Sequence, residues 1–337
     1  MMNKQFIAMV VSEVEENQYH RTITTRDMND LPAGEVLVEV HYSSLNYKDA
    51  LSASGNKGVT RKYPHTPGID ASGIVVESTD TAFEPGDPVI VTSYDLGMNT
   101  AGGFGQYIRV PKSWVVPLPP GLTLRQAMCY GTAGFTAALS TLQLIKHGVQ
   151  PDTGKILVSG ATGGVGSIAV SILSKLGYAV TAVNGRINHA DYLRSLGAQR
   201  IIDLEEAVDT SERLILKERW AGSIDAVGGD LLSTTVKSTC ANGVVTTCGN
   251  VASPELSLSV YPFILRGVAL VGIDSQNCPM PIRREVWQKL ANEWQVPAME
   301  MVVKEIPLNN LDTHINRMLN RERLGRTIVT MRDTAEA

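Results

Sequence analysis

The stretch Lys155-Ile-Leu-Val-Ser-Gly-Ala-Thr-Gly-Gly-Val-Gly166 constrains the fold of this chain more than any other. A short apolar run ends in a G-x-x-G-x-x-G loop formed by Gly160, Gly163 and Gly166. An apolar, helix-compatible segment follows from Ser167 to Leu176, and a second strand-like run spans Tyr178 to Val183. A strand that turns tightly into a helix leaves backbone N–H groups unpaired at the helix N-terminus. Those donors, with the positive end of the helix dipole, make a pyrophosphate site. Glycines let the backbone approach the phosphates and the helix approach the strand. A glycine-rich turn can also be purely structural, but the strand before it and the helix and strand after it are the context a dinucleotide site requires. Gly160, Thr162, Gly163, Gly164 and Val165 are read as that cradle.

The 337 residues suffice for two domains, each with its own core. Up to about residue 125 the chain is β-rich and loop-rich: Val36-Leu-Val-Glu-Val40 alternates, Gly73-Ile-Val-Val-Glu77 does so less cleanly, and Pro88-Val-Ile-Val91 is a short apolar run. Pro117-Leu-Pro-Pro-Gly121 is a rigid connector, because proline fixes φ and removes a donor. From Arg125 onward, Ala- and Leu-rich helices alternate with Val/Ile strands through Ile201-Ile202, Ser223-Ile-Asp-Ala-Val227 and Gly243-Val-Val-Thr-Thr247. Repeated β-α units predict a parallel, doubly wound sheet. The tail returns to a helix (283–293) and a last strand (327–330). The expected architecture is therefore α/β, with a Rossmann-type nucleotide domain at 126–275 inserted between the 1–125 and 276–337 parts of a β-rich domain.

A net charge of −4 gives no electrostatic footprint for nucleic acid. No apolar run reaches the roughly 18 residues that a membrane span needs, and the N-terminal residues lack the apolar stretch of a signal peptide. A cytoplasmic location is expected. The four cysteines (Cys129, Cys240, Cys248, Cys278) show neither C-x-x-C spacing nor a histidine at ligand distance, so reduced, mostly buried thiols are expected and no metal site.

In a dinucleotide fold, an acidic residue ending the second strand receives the ribose 2′-OH and selects NAD. Here that strand ends Ala182-Val-Asn-Gly-Arg186, without a carboxylate. Arg186 can pair with a 2′-phosphate, with Asn184 and Gly185 beside it, and NADP is the expected cofactor. Arg186 could equally be a solvated loop residue.

Ser43-Ser-Leu-Asn-Tyr-Lys-Asp49, His65-Thr-Pro-Gly-Ile-Asp-Ala71, Gly131-Thr-Ala-Gly-Phe-Thr-Ala137, Pro262-Phe-Ile-Leu-Arg-Gly-Val268 and Gly272-Ile-Asp-Ser275 accompany the glycine loop in order. This set resembles the medium-chain dehydrogenase/reductase superfamily, within it the zinc-free branch of quinone oxidoreductases and acrylyl-CoA reductases. The resemblance implies a GroES-like β-rich catalytic domain beside the Rossmann domain, a homodimer, and an NADPH-dependent reduction of an activated C=C in an acyl-CoA thioester, acryloyl-CoA to propanoyl-CoA. The rival readings are an NADPH:quinone or alkenal oxidoreductase and a non-catalytic NADPH-binding protein. Zinc alcohol dehydrogenases of the superfamily hold metal with a cysteine and a histidine where this sequence has Asn46 and Ile69. Neither side chain is a zinc ligand of choice, and without that Lewis acid an electron-poor C=C is the more suitable substrate.

The same resemblance puts Tyr47 and Asn46 at the nicotinamide end of the cofactor. Tyr47 could also be a core aromatic. Tyr63 resembles the active-site tyrosine of related reductases, chemically apt as a proton donor, or is a surface tyrosine beside a proline. Thr132, Asn250, Ile264 and Ser275 are implied near the nicotinamide and its ribose, with helix capping as the rival role for Thr132 and a sheet-edge strand, such as a dimer edge, as that of the 262–275 segment. Asp49 is expected to cap a turn, with orienting Tyr47 or Lys48 as its rival role, and Arg326 to make a surface ion pair, although it resembles a C-terminal basic residue that reaches cofactor phosphates in some relatives. Lys57, Arg61 and Lys62, and Arg283-Arg284, are either a rim for coenzyme A phosphates or solvated faces.

Overall fold

The structure, a computed structural model, describes residues 5–185, 189–296 and 299–331. In chain order the strands and helices are β1 (Gln5–Glu15), β2 (Gln18–Asp27), β3 (Val36–Ser44), α1 (Tyr47–Ser52), β4 (Asp70–Ser78), β5 (Pro88–Thr92), β6 (Tyr107–Val110), β7 (Val115–Pro117) and α2 (Leu124–Lys146). Then come β8 (Lys155–Val158), α3 (Gly164–Lys175), β9 (Ala179–Val183), α4 (Ala190–Ser195), β10 (Arg200–Ile202), α5 (Leu204–Ala207), β11 (Trp220–Asp225), α6 (Gly229–Lys237), β12 (Thr239–Thr247), α7 (Tyr261–Arg266) and β13 (Ala269–Gly272). The chain closes with α8 (Met280–Ala291), α9 (Met299–Val302), β14 (Val303–Pro307), α10 (Leu311–Leu319) and β15 (Arg326–Thr330). Two compact units result. One comprises the chain up to Thr132, Gln276–Ala291 and the chain from Val303 onward; the other comprises Ala133–Ser275 and Asn292–Val302.

In the first unit the described strands form a sheet ordered β14-β15-β3-β4-β5-β7, with β6 also on β3 and only the β14–β15 pair parallel. Alternation on β3 drives it: Val36, Val38 and Val40 are at most 1% exposed and share a core with Val89, Val91, Phe104, Ile108 and Val329. Leu37, pointing the other way, packs on Phe6, Ala8 and Leu31, so the β1–β2 ribbon lies over that face. Burying each such valine is worth roughly 1.5–3 kcal/mol relative to exposure. The ribbon itself was not foreseen, because β2 alternates only between half-buried and exposed residues and offers no apolar signal.

In the second unit all strand pairs are parallel and the order is β10-β9-β8-β11-β12-β13. Counted along the chain from β8, this is the doubly wound order of a dinucleotide domain, with its switch point between β8 and β11. Ile156, Leu157 and Val158 are at most 1% exposed although they point to alternate faces, as a sheet covered on both sides requires. The residues from Ser167 to Leu173 are all buried on α3, which begins at Gly164, earlier than its apolar run, because Gly163 takes the cap position. The 262–275 segment is a short helix followed by β13, the outer strand of the sheet.

Candidate functional site

In the first unit, β3 ends and α1 begins at a buried polar cluster. Asn46 caps α1, and the Asp49 carboxylate reaches back to accept the Asn46 backbone N–H at 2.7 Å, a reciprocal cap that fixes the entry of the helix. Asp49 is thus the capping carboxylate that the sequence suggests, but it is also wholly buried and accepts the Ile69 N–H at 2.8 Å. Burial, and next the neighbouring Asp70 carboxylate, push Asp49 up to about 7 against those N–H donors.

Asp70, the first residue of β4, is 0% exposed. It accepts from Ser44 Oγ (2.5 Å), Asn46 Nδ2 (2.8 Å), and the Thr132 backbone N–H (2.9 Å) and Oγ1 (2.5 Å). Arg326, expected as a surface ion pair, is instead 2% exposed. Its Nη2 lies 3.7 Å from Asp70 and donates to Ser44 Oγ at 2.7 Å, while Nη1 donates to Asn46 Oδ1 at 3.0 Å. Room for the guanidinium exists because residue 131 has no side chain. Gly131 breaks α2 at φ 51°, ψ −157°, and a Cβ there would sit 2.4 Å from both Asp70 Oδ2 and Ser44 Oγ. Thr132 therefore serves Asp70 rather than simply capping a helix.

Tyr47, the first residue of α1, is 42% exposed, and its hydroxyl has no partner among the described residues. Tyr63 is differently engaged. Its hydroxyl donates to the Ser52 carbonyl at 2.7 Å, and its ring lies 4.8 Å from that of Tyr19 and under the Lys57 ammonium. Lys57 is ion-paired with Glu13 at 2.7 Å, and Arg61 and Lys62 are exposed. Arg283 is not a rim residue either. It is buried against the Tyr94 ring and donates to the Thr92 carbonyl at 3.0 Å.

In the second unit the turn after β8 holds Gly160, Ala161, Thr162 and Gly163, and α3 opens with Gly164 and Val165. Gly163 offers no side-chain cap, so the first N–H groups of α3 stay open to a ligand. A Cβ at Gly166 would lie 2.2 Å from the Gly160 carbonyl oxygen, which shows how tightly the helix is set against its own turn. An anionic pyrophosphate fits this cradle. Asn184 is buried just after β9, and Gly185 is exposed; Arg186 lies outside the described residues. Asn250 is exposed, Ile264 is 68% exposed on α7, and Ser275 is half-buried.

Sequence reasoning missed Asp225. At the carboxyl end of β11 and 1% exposed, it accepts from Ser159 Oγ (2.6 Å), Thr247 Oγ1 (3.1 Å) and the Gly228 N–H (3.0 Å). It thereby ties together the ends of β8, β11 and β12 at the switch point, and burial raises its pKa despite these donors. The available signal was a carboxylate ending an apolar central strand.

Residues 32–120 match the alcohol dehydrogenase GroES-like domain, and residues 164–294 match the zinc-binding dehydrogenase domain. The chain is 44% identical over 312 residues, 92% of its length and 94% of the relative's, to YhfP of Bacillus subtilis (strain 168), which is named for quinone oxidoreductase. It is 42% identical over 325 residues, 96% of its length and 98% of the relative's, to the acrylyl-CoA reductase AcuI of Ruegeria pomeroyi. This chain is a medium-chain dehydrogenase/reductase. The crystal structure of the yhdH oxidoreductase from Salmonella enterica in complex with NADP matches this reductase with a TM-score of 0.94 and 40% identity, covering 97% of this chain and 100% of that one. That of B. subtilis yhfP with NAD bound matches with a TM-score of 0.95 and 42% identity over 97% and 100% of the two chains. Among the described residues of the reductase, no group of three or more His, Cys, Asp and Glu is placed to hold a metal. Asn46 has both polar atoms of its side chain engaged, and Ile69 is buried.

Proposed function

We propose that this reductase uses NADPH to reduce an activated C=C, with acryloyl-CoA as substrate and propanoyl-CoA as product. The identity of 42% across 96% of the chain with an acrylyl-CoA reductase carries the reading, and the NADP complex of the Salmonella relative supports the cofactor. The yhfP structure with NAD bound pulls the other way. The absence of a carboxylate after β9, where Asn184 stands, favours the 2′-phosphate.

When bound, NADPH supplies the hydride that reaches the β-carbon of the enoyl group. The residues of the chain do the rest. The turn of Gly160, Thr162 and Gly163, with Gly164 and Val165 at the start of α3, receives the pyrophosphate, and Asn184, Gly185 and Arg186 read the adenosine ribose. Thr132, Asn250, Ile264 and Ser275 orient the nicotinamide end. Asn46, held by Asp70 and Arg326, fixes the start of α1 and so the position of Tyr47. The Tyr47 hydroxyl, without a hydrogen-bond partner among the described residues, donates a hydrogen bond to the thioester oxygen as charge develops there. The proton for the α-carbon comes from Tyr47 or water. Tyr63, with its hydrogen directed to the Ser52 carbonyl, is the second candidate. The scheme routes no step through a metal, and these positions offer zinc no site: Asn46 is a poor zinc ligand and Ile69 has no donor atom.

The reading also takes the protein as a cytoplasmic homodimer. The outer position of β13 and the exposed Val260, Tyr261, Ile264 and Leu265 in the segment leading into it support pairing of two copies. A second substrate class, quinones or alkenals, is favoured by the name of YhfP. NADPH oxidation measured with acryloyl-CoA and with a small quinone, both with EDTA present, tests the choice. Rapid chelator-resistant turnover of acryloyl-CoA and little with quinone is expected; the opposite preference makes quinone or alkenal reduction the function.

A further inference from the structure

Between α10 and β15 the chain gathers cations that nothing in the reductase reading uses. Lys304 and Thr327 are register partners on the parallel strands β14 and β15, so their side chains share one face. Arg323 Nη2 donates to Thr327 Oγ1 at 2.6 Å, and that oxygen lies 3.4 Å from Nδ1 of the buried His314. Arg317 follows His314 by three residues on α10, hence on the same side of the helix. Arg323 Nη1 is buried and has no hydrogen-bond partner among the described residues.

A guanidinium nitrogen shut away from water without an acceptor is costly. The nearby carboxylates do not relieve it. Asp312 pairs with Arg21 at 2.8 Å, Glu305 with Arg125 at 2.7 Å, and Glu322 is exposed and makes no ion pair among the described residues. Lys304 and Arg317 are exposed and likewise make no ion pair among the described residues. Burial, with Arg326 and Arg317 nearby, pushes Arg323 down to about 9, and no carboxylate offsets it. The contrast with Arg326, three residues on and fully partnered, is direct.

We propose that Arg323, Arg317 and Lys304, gathered around Thr327 and His314, form a binding site for the phosphate group of a ligand. The exposed Lys304 and Arg317 contact the phosphate, and the buried Arg323 guanidinium behind them supplies positive charge that no carboxylate neutralises. The phosphate is either one carried by the acyl-CoA substrate, which rests on the function proposed above, or a separate phosphate that does not enter the reaction.

Thermal unfolding of the full chain in phosphate, against chloride of equal ionic strength, tests the site. Saturating phosphate is expected to raise the Tm of the wild type by about 2 °C or more. That shift should vanish in Arg323→Met and in the surface double variant Lys304→Ala/Arg317→Ala, whose folding the substitutions do not threaten. In chloride, Arg323→Met should melt close to the wild type, since relief of the buried, half-partnered charge offsets the lost hydrogen bond to Thr327. A wild type indifferent to phosphate, or a shift that survives in the double variant, overturns the proposal. The KM for acryloyl-CoA then separates the sources. A rise of about tenfold in the double variant at unchanged kcat identifies the phosphate as the substrate's, and an unchanged KM identifies a separate ligand. A wild type that does not turn over acryloyl-CoA at all refutes the acyl-CoA substrate while leaving the phosphate shift to decide the site.

Discussion

The cluster around Asp70 and the glycine turn before α3 treat polar groups in opposite ways. Around Asp70, side chains of both signs satisfy one another: Ser44, Asn46, Thr132 and Arg326 all converge on one carboxylate that water does not reach. At the glycine turn nothing on a side chain caps Gly163, and backbone donors are left for a ligand to satisfy. The closed cluster needs no visitor and fixes geometry; the open turn is completed only by an anion. Substitutions should therefore strike stability in the first region and affinity in the second.

The largest effect is expected from Arg326→Met. It leaves Asp70 buried without its cation, which costs about 3–5 kcal/mol. The paired Arg326→Met/Asp70→Asn variant should recover part of that loss. Urea unfolding of the three proteins measures it. A loss below about 1 kcal/mol for Arg326→Met would mean that the hydroxyl and amide donors alone hold Asp70, in the range of ordinary hydrogen bonds.

A pH series sharpens the same side of the comparison. Asp49 is raised from 3.8 to about 7 in the folded chain, so the folded state binds the proton more tightly than the unfolded one. Its contribution to stability is complete below about pH 4, declines as pH rises, and is lost through about 7. Between these limits the slope approaches one proton, about 1.4 kcal/mol per pH unit. Tm measured across that window should fall more steeply for the wild type than for Asp49→Asn, which has no carboxyl to titrate there. Parallel curves would assign the pH dependence to other groups.

How much of each region the sequence discloses follows from the distance its partners span. The glycine turn is local: strand, turn and helix follow within Lys155–Lys175, and their order alone predicts the doubly wound sheet. The Asp49 cap is local too, three residues from Asn46. Asp70 stands in the open in Gly68-Ile-Asp70, yet its role depends on Arg326, which is 282 residues from Ser44 in the chain. Nothing near Arg326 announces burial; the space for it is made by the missing side chain of Gly131. The Lys57–Glu13 ion pair is hidden for the same reason, because Glu13 lies on the β1–β2 ribbon, 44 residues earlier.

The smallest of the three effects breaks the open side of the comparison. In Gly166→Ala the new methyl would stand 2.2 Å from the Gly160 carbonyl oxygen and 2.6 Å from the Ala161 Cα. Both contacts are backbone, so neither can swing aside as a flexible side chain would, and the turn must move away from α3. Alanine is otherwise the better helix residue, by about 0.8–1.0 kcal/mol, which offsets part of the strain. Stability should fall by about 1–3 kcal/mol, less than in Arg326→Met. The N–H groups that await the pyrophosphate are displaced directly, and the NADPH dissociation constant should rise about tenfold, equivalent to about 1.4 kcal/mol. Fluorescence titration of NADPH beside a urea unfolding curve reads both quantities. Unchanged affinity with a large loss of stability would make this turn a structural element like the Asp70 cluster and remove the contrast between the two regions.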